Sequence, residues 1–263
     1  MTFLSSPEAK ALPRRDFLQR GAALAAAGMG TGLLGACAHG PGHQGGRWAL
    51  NNADGFAANL VNASAATFKE RSAVMVELTP EAQKALLAGT GVGNGPSFIM
   101  PPVQLANGVI EVDLAARING KGAPDVRGFV GIAFHIDDKA ETFEAVYLRM
   151  TNGSKNNPPP PAPRNVFAVQ YISYPDRYWR KLRQEHPNVY EKAAPVAIES
   201  WHKLRLEIAG STVNAFVDGE KVLTVSDLRF ANRKGRIGLW VDDGTAGYFS
   251  NLKVKAAQVI HGA

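Results

Sequence analysis

The chain has 263 residues, with 29 Lys/Arg against 23 Asp/Glu for a net charge of +6, 45% hydrophobic residues and a single cysteine. One cysteine excludes an intramolecular disulfide, so stability has to come from a buried core, and the length suits one well-buried domain. The mild positive balance, with no Lys/Arg cluster interleaved with aromatics, argues against nucleic acid as a partner.

Residues 1–36 read as an address rather than as part of the fold. A charged start, an apolar Ala/Gly-rich segment of roughly 15 residues and small residues before a cut site make a secretory signal too short to span a bilayer stably. Pro13-Arg14-Arg15-Asp16-Phe17-Leu18-Gln19 resembles the twin-arginine export motif, departing from it at Pro13, where Ser or Thr is usual, and at Gln19, where Lys is usual. Leu34-Gly35-Ala36-Cys37 resembles a bacterial lipobox, which implies cleavage before Cys37 and lipidation of its thiol. Two or more acyl chains would then hold the protein on a membrane, with its body outside the cytoplasm. The alternative is an uncleaved anchor helix, which Gly28, Gly30 and Gly32 would weaken. Cleavage would remove four Lys/Arg and two Asp/Glu and leave 25 against 21, a net charge of +4.

Residues 37–47 are rich in Gly and carry Pro41, with nothing to bury, and read as a flexible tether. His39 and His43 lie four apart but lack a carboxylate or thiolate partner nearby, so they make a poor metal site. A domain is expected over residues 48–256, followed by a tail at 257–263. Within it, short runs of β-branched and aromatic residues separated by Gly, Asn, Asp and Pro predict an antiparallel sandwich. The predicted strands are residues 71–78, 108–117, 128–136, 143–150, 166–172, 201–209, 212–217, 221–225, 235–241 and 246–254. Pro80–Leu87 is the one predicted helix: Glu81 comes early, Ala82, Ala85 and Leu86 share a face, and Gly89 stops it. Asp218-Gly219 predicts a type I′ hairpin, and Asp243-Gly244 predicts a similar turn between the last two strands.

Four stretches of the second half carry a resemblance: Trp201-His202-Lys203-Leu204-Arg205-Leu206, Asn214-Ala215-Phe216-Val217-Asp218-Gly219, Gly235-Arg236-Ile237-Gly238-Leu239-Trp240 and Tyr248-Phe249-Ser250-Asn251-Leu252-Lys253-Val254. Their succession resembles the closing strands of concanavalin A-like lectin/glucanase domains, particularly the 3-keto-disaccharide hydrolase-like group. The resemblance covers residues 108–254 and implies an all-β, concanavalin A-like jelly-roll sandwich of two antiparallel sheets. On that reading Trp201 and Trp240 fill the core, and Gly235 and Gly238 let strands pack closely. Members of this superfamily bind sugars, hydrolyse glycans or do neither, so fold leaves function open.

The middle of the chain carries the candidate ligand site. In a strand Tyr147 and Arg149 share one face and Leu148 and Met150 the other, and the same alternation separates Gln170 from Tyr171. If these strands pair, Arg149, Gln170 and Asn152 line one surface, with Tyr174, Tyr178 and Trp179 arching over it and Tyr171 and Arg183 close by. Planar apolar rings for sugar C–H groups beside Arg, Asn and Gln for hydroxyls suit a carbohydrate or glycoside. The competing reading pairs Arg149 with Glu144 or Asp176 and leaves the aromatics as cover for the sandwich edge. Asn156-Asn157 and the four prolines Pro158 to Pro161 make a stiff loop that would wall the cleft.

Catalytic groups are less distinct. Glycoside hydrolysis usually needs two flanking carboxyl groups. Asp242 and Asp176 are the leading candidates, ahead of Glu185, His186, Glu191 and Asp243. Glu111 and Asp113 share a strand face, but Ala116 stands where a third acid would complete a glucanase signature, so they read as a solvated face. His135 reads as packing rather than as a general base. No cofactor is predicted. Calcium occurs in the superfamily, but no Asp-rich loop supports it here, Asp137-Asp138 reading better as a solvated turn. The expected function is carbohydrate recognition, with 3-keto-glycoside hydrolysis or elimination and a non-catalytic envelope scaffold as alternatives.

Overall fold

The computed structural model describes residues 45–91 and 93–257. Arg14, Arg15, Cys37, His39 and His43 lie outside the described residues. In chain order the first strands are β1 (Gly45–Trp48), β2 (Ala57–Asn59), β3 (Val61–Phe68) and β4 (Arg71–Leu78), then helix α1 (Pro80–Leu87). Next come β5 (Phe98–Met100), β6 (Gln104–Leu105), β7 (Gly108–Ile118), β8 (Phe129–Ile136) and β9 (Phe143–Arg149). Strand β10 (Val169–Tyr174) leads to helix α2 (Trp179–Glu185) and β11 (Glu191–Lys192). The chain closes with β12 (His202–Ala209), β13 (Thr212–Val217), β14 (Glu220–Val225), β15 (Gly235–Val241) and β16 (Thr245–Ala256).

These strands form two antiparallel eight-stranded sheets, a jelly-roll sandwich. The first runs β14-β13-β12-β7-β16-β4-β3, with β1 beside β16; the second runs β11-β10-β9-β8-β15-β5-β2, with β6 beside β15. The first sheet has one dry face. In β7, Ile110, Val112 and Leu114 are fully buried while Glu111 and Asp113 alternate outward, and β12 repeats this with Leu204, Leu206 and Ile208 against Lys203, Arg205 and Glu207. Their outward charges pair with one another: Lys203 Nζ lies 2.8 Å from Asp113 and 3.1 Å from Glu111, so these two acids are the solvated face that the sequence predicts.

The second sheet is buried on both faces. Val130, Ile132, Phe134, Val146, Leu148, Leu239 and Val241 fill the space between the sheets. The alternate residues Phe98, Phe143, Ala145, Tyr147, Ile172 and Trp240 form a second apolar layer on its outer face, covered by Phe129, Tyr174 and Trp179. Trp240 therefore packs outside the sandwich against Tyr147, with ring centroids 4.8 Å apart, and not in the inter-sheet core as expected. Trp201 likewise lies on the outer face of the first sheet, edge-on to Phe68, which stacks on Tyr248 at 4.2 Å. Large rings occupy these faces because period-two alternation puts them opposite the aliphatic residues that close the centre.

Local signals explain the connections. Thr79 caps α1 by accepting the N–H of Ala82 at 3.1 Å, Pro80 opens the helix, and Gly89 ends it at φ +70°. Asp218 (φ +51°) and Gly219 (φ +91°) make the β13–β14 hairpin, both in the left-handed region that a type I′ turn needs. Asp243-Gly244 differs from expectation. Strands β15 and β16 belong to different sheets, so this turn carries the chain across the sandwich instead of closing a hairpin. Residues 45–47, expected in the tether, are strand β1, paired to β16 from Gly45↔Lys255 to Trp48↔Leu252. A second helix, α2, stands where the sequence predicts an aromatic loop.

Candidate functional site

Register places the site at one end of the second sheet, on its outer face. Gln170 pairs with Tyr147, Tyr147 with Gly131, and Gly131 with Trp240, while one step along Phe129 pairs with Arg149. Asp242 directly follows β15, whose last residue Val241 pairs with Val130. Four chain segments wall this end: the 93–97 segment before β5, residues 125–127 before β8, the excursion between β9 and β10, and α2. Together they enclose a cleft of about 370 Å³ whose floor and walls include Asn94, Arg127, Phe129, Arg149, Asn152, Arg164, Phe167, Trp179, Arg183 and Asp242.

Arg149 sits on the cleft floor with both its Nη atoms bonded to protein groups. Its Nη2 donates to Gln170 Oε1 at 3.0 Å and to Tyr147 Oη at 3.2 Å, and its Nη1 to the Phe167 carbonyl at 3.2 Å and Glu191 Oε2 at 3.3 Å. Glu191 is 2% exposed and is shared with Arg183, whose Nε and Nη2 reach its two oxygens at 2.6 Å each. One buried carboxylate thus serves two guanidiniums, and the bidentate fork fixes Arg183 flat against Phe167 (4.0 Å to the ring centroid) and Trp179 (4.7 Å). Neither of the expected partners, Glu144 or Asp176, pairs with Arg149. Glu191 takes that role, because β11 lies directly beside β10 and sets Glu191 opposite Gln170.

Asp242 closes the other side. Its Oδ2 accepts the backbone N–H of Asn94 at 2.9 Å and the Asn94 side-chain amide at 3.3 Å. Burial pushes its pKa up to about 6, against the hydrogen bonds from the Asn94 and Asp243 backbone that favour the carboxylate. Asn94 is held at φ +61°, a conformation Asn tolerates, and its side-chain amide also approaches Tyr147 Oη at 3.5 Å. Its Oδ1 is buried without a hydrogen-bond partner, although it lines the cleft. Buried polar atoms are seldom left unpaired, and the residue that carries this one lines the cleft. The neighbouring segment is strapped down by Trp240 Nε1 donating to the Gly95 carbonyl at 2.9 Å. Asp243 is used structurally, accepting from Gln83 of α1 at 2.7 Å and from the Ala123 N–H at 3.3 Å.

Of the residues predicted for the site, Arg149, Asn152, Trp179, Arg183 and Asp242 line one cleft. Gln170 lies fully buried behind Arg149, donating to the carbonyls of Tyr171 and Tyr190. Tyr171 points into the inter-sheet core and donates to Glu144 at 2.6 Å. Tyr178 is 45% exposed just before α2 and does not line the cleft, and Tyr174 stacks on Phe143 at 5.2 Å in the outer apolar layer. Asp176 also stands outside the cleft, half exposed and paired with Arg229 at 2.6 Å. Glu185 and His186 sit at the exposed end of α2. His135 is fully buried, its Nδ1 2.6 Å from Glu144 and its Nε2 2.8 Å from the Ala106 carbonyl. Asp137 closes its own turn by accepting from Lys139, Glu141 and Thr142. Among the described residues no three His, Cys, Asp or Glu side chains converge as a metal-binding group would require. Sequence reasoning missed Asn94, Arg127 and Arg164, although Gly93-Asn94-Gly95 is itself a signal for a left-handed turn.

No protein-family model matches the chain, and no curated protein does. Solved structures do. The chain is similar to the carbohydrate-binding module CBM66 from Bacillus subtilis, at 17% identity over 76% of this chain and 96% of that one, with a TM-score of 0.48. A Bacillus licheniformis β-glucanase aligns at 13% identity over 81% and 98% of the two chains (TM-score 0.45). A Bacillus subtilis protein of unknown function with a galectin-like fold aligns at 10% identity over 80% and 94% (TM-score 0.48).

Proposed function

We propose that the cleft at the end of the second sheet binds a carbohydrate or glycoside. The observation that carries this reading is the joining, in one cleft of about 370 Å³, of half-buried Phe129, Phe167 and Trp179 with fixed polar groups, among them the unpartnered Asn94 Oδ1. A sugar ring offers C–H faces to such aromatics and hydroxyls to such groups, and the volume accepts a mono- or disaccharide. Arg149, Glu191 and Arg183 are locked together before any ligand arrives, so little ordering cost accompanies binding. The test is calorimetric titration of the full-length protein with a panel of oligosaccharides, repeated with Trp179→Ala. Saturable binding that weakens roughly tenfold without the Trp179 ring supports the reading. No binding across the panel refutes it.

A second reading, cleavage of a 3-keto-glycoside, is favoured by Asp242 alone. A ketone at C3 acidifies the C2 proton, and the group on C1 lies β to the carbanion. One base therefore suffices: the Asp242 carboxylate takes the C2 proton, the electron pair forms the C1–C2 double bond, and the leaving oxygen departs from C1 and collects a proton. A pKa of about 6 supplies a base that is ionised at neutral pH and stronger than an ordinary carboxylate. Chromatographic detection of the unsaturated product, lost in Asp242→Asn, would establish turnover; binding without product would leave a recognition module.

Twin-arginine export and a lipid anchor at Cys37 are proposed on the motif residues Arg14-Arg15 and Leu34-Gly35-Ala36-Cys37. Arg14→Lys with Arg15→Lys should strand the precursor in the cytoplasm, and Cys37→Ser should release the processed protein from the membrane fraction. Fractionation unchanged by either would remove the proposal.

A further inference from the structure

Four guanidiniums line the cleft, and the carboxylates are not distributed to match them. Arg149 and Arg183 share the single carboxylate of Glu191. Arg164 bonds only neutral groups, Asn152 Oδ1 at 3.1 Å, the Thr151 hydroxyl at 3.2 Å and the Thr151 carbonyl at 3.5 Å. Arg127 reaches one carboxylate, that of Asp125, at 3.5 Å, and Asp125 has 83% of its side chain in solvent. The other acids of the lining, Asp242 and Asp243, are engaged by Asn94, Gln83 and the Ala123 N–H rather than by a guanidinium. Direct ion pairs therefore give the four guanidiniums only two carboxylates, Glu191 and the largely solvated Asp125.

The guanidiniums stand close enough to act on one another. Burial, and next the proximity of Arg164, make the Arg127 guanidinium easier to deprotonate than usual; Asp125 opposes this and Arg149 adds to it. Like charges gathered in a partly dry cleft repel, and water relieves this less than on an open surface. An anion placed among Arg127, Arg149 and Arg164 removes the repulsion and gains charge-assisted hydrogen bonds from Arg127 and Arg164, and the planar guanidinium fork matches carboxylate and sulfate oxygens.

From this charge asymmetry we infer that the ligand is an acidic glycan, whose anionic substituent sits among Arg127, Arg149 and Arg164 while its ring lies over the aromatics toward Asn94 and Asp242. The inference rests on the carbohydrate reading and narrows it. A uronate carboxylate and a sugar sulfate share the chemistry required.

The test titrates the full-length protein, purified in detergent, with matched trisaccharides of several linkages, each uncharged, C6-carboxylated or C6-sulfated. At least one acidic form should bind ten or more times tighter than its uncharged counterpart, and the carboxylated and sulfated arms tell the two sources apart. That preference should shrink as salt rises from 50 to 500 mM, a readout on the unaltered protein that does not depend on any variant folding. Arg127→Gln with Arg164→Gln should abolish the preference, with thermal melting to confirm a folded domain. Equal binding of charged and uncharged forms would overturn the acidic-ligand inference and leave the carbohydrate reading intact. Silence from all forms would overturn both.

Discussion

Asp242→Asn should stabilise this protein at neutral pH while abolishing any chemistry that the carboxylate performs. The side chain is 5% exposed, and burial lifts its pKa from an ordinary 3.8 to about 6. A folded pKa above the unfolded one means that the folded protein binds the proton more tightly. Stability is then highest below about pH 4, falls as pH rises through about 6, and is level beyond. The difference, about 2 pH units at 1.36 kcal/mol each, makes ionised Asp242 cost about 3 kcal/mol at pH 7. Asparagine keeps an acceptor for the Asn94 N–H and cannot ionise. Urea unfolding of both proteins between about pH 4 and pH 8 should therefore give a stability difference that grows by about 3 kcal/mol in favour of Asp242→Asn, most of it between pH 4 and 6. Any fixed cost of the extra amide protons cancels from that slope. A difference that stays flat with pH would refute the argument, because it would mean that Asp242 titrates as an exposed carboxylate does.

Arg149→Ala should lose about 3 kcal/mol in urea unfolding, because Gln170, Tyr147 and the buried Glu191 forfeit a common cation; a loss below about 1 kcal/mol would mean that water replaces it. Loss of ligand binding in that variant would consequently say little about direct contact, and Trp179→Ala is the cleaner probe. Asn94→Gly keeps the left-handed backbone at φ +61° and removes the free acceptor; oligosaccharide affinity should fall about fivefold by calorimetry. Gly131→Ala would set a methyl group 2.4 Å from the Val146 carbonyl oxygen and 2.5 Å from Tyr147, so it should cost about 2 kcal/mol and lower the melting temperature.

The strands that are legible in sequence are those whose alternation is chemically sharp. β7 and β12 oppose Ile, Val and Leu to Glu, Asp, Lys and Arg, whereas β3 is built between its ends from Ala, Ser, Asn and Thr with four exposed positions, and so leaves no contrast to read. Helix α2 is hidden for a similar reason: it has seven residues, only Leu182 buried and no side-chain cap. Arg149 and Asp242 could be noticed because a polar group at a strand end is local information. The pairing of Arg149 with Glu191 could not, because it depends on β11 docking beside β10. Arg127 and Arg164 come into range of Arg149 only through the course of the excursion after β9 and the segment before β8. Asp176, an exposed acid near the aromatics in sequence, is carried away from them by the turn that precedes α2 and meets Arg229 instead.

Strand β16 is bonded to three others: β7 along one edge, and β4 and then β1 along the other. A nascent chain that still lacks β16 holds the first sheet as two fragments, β14-β13-β12-β7 and β4-β3, with no partner for β1. Gly45 must wait for Lys255, a separation of 210 residues, before the two meet. At a synthesis rate of about 5–20 residues per second, that is an interval of roughly 10–40 s during which the inner apolar surface has no complete cover. Completion of the first sheet therefore has to await β16 and is governed by long-range pairing, which makes it slow. Premature termination anywhere upstream of Thr245 would leave this sheet in those two fragments, each with an uncovered edge.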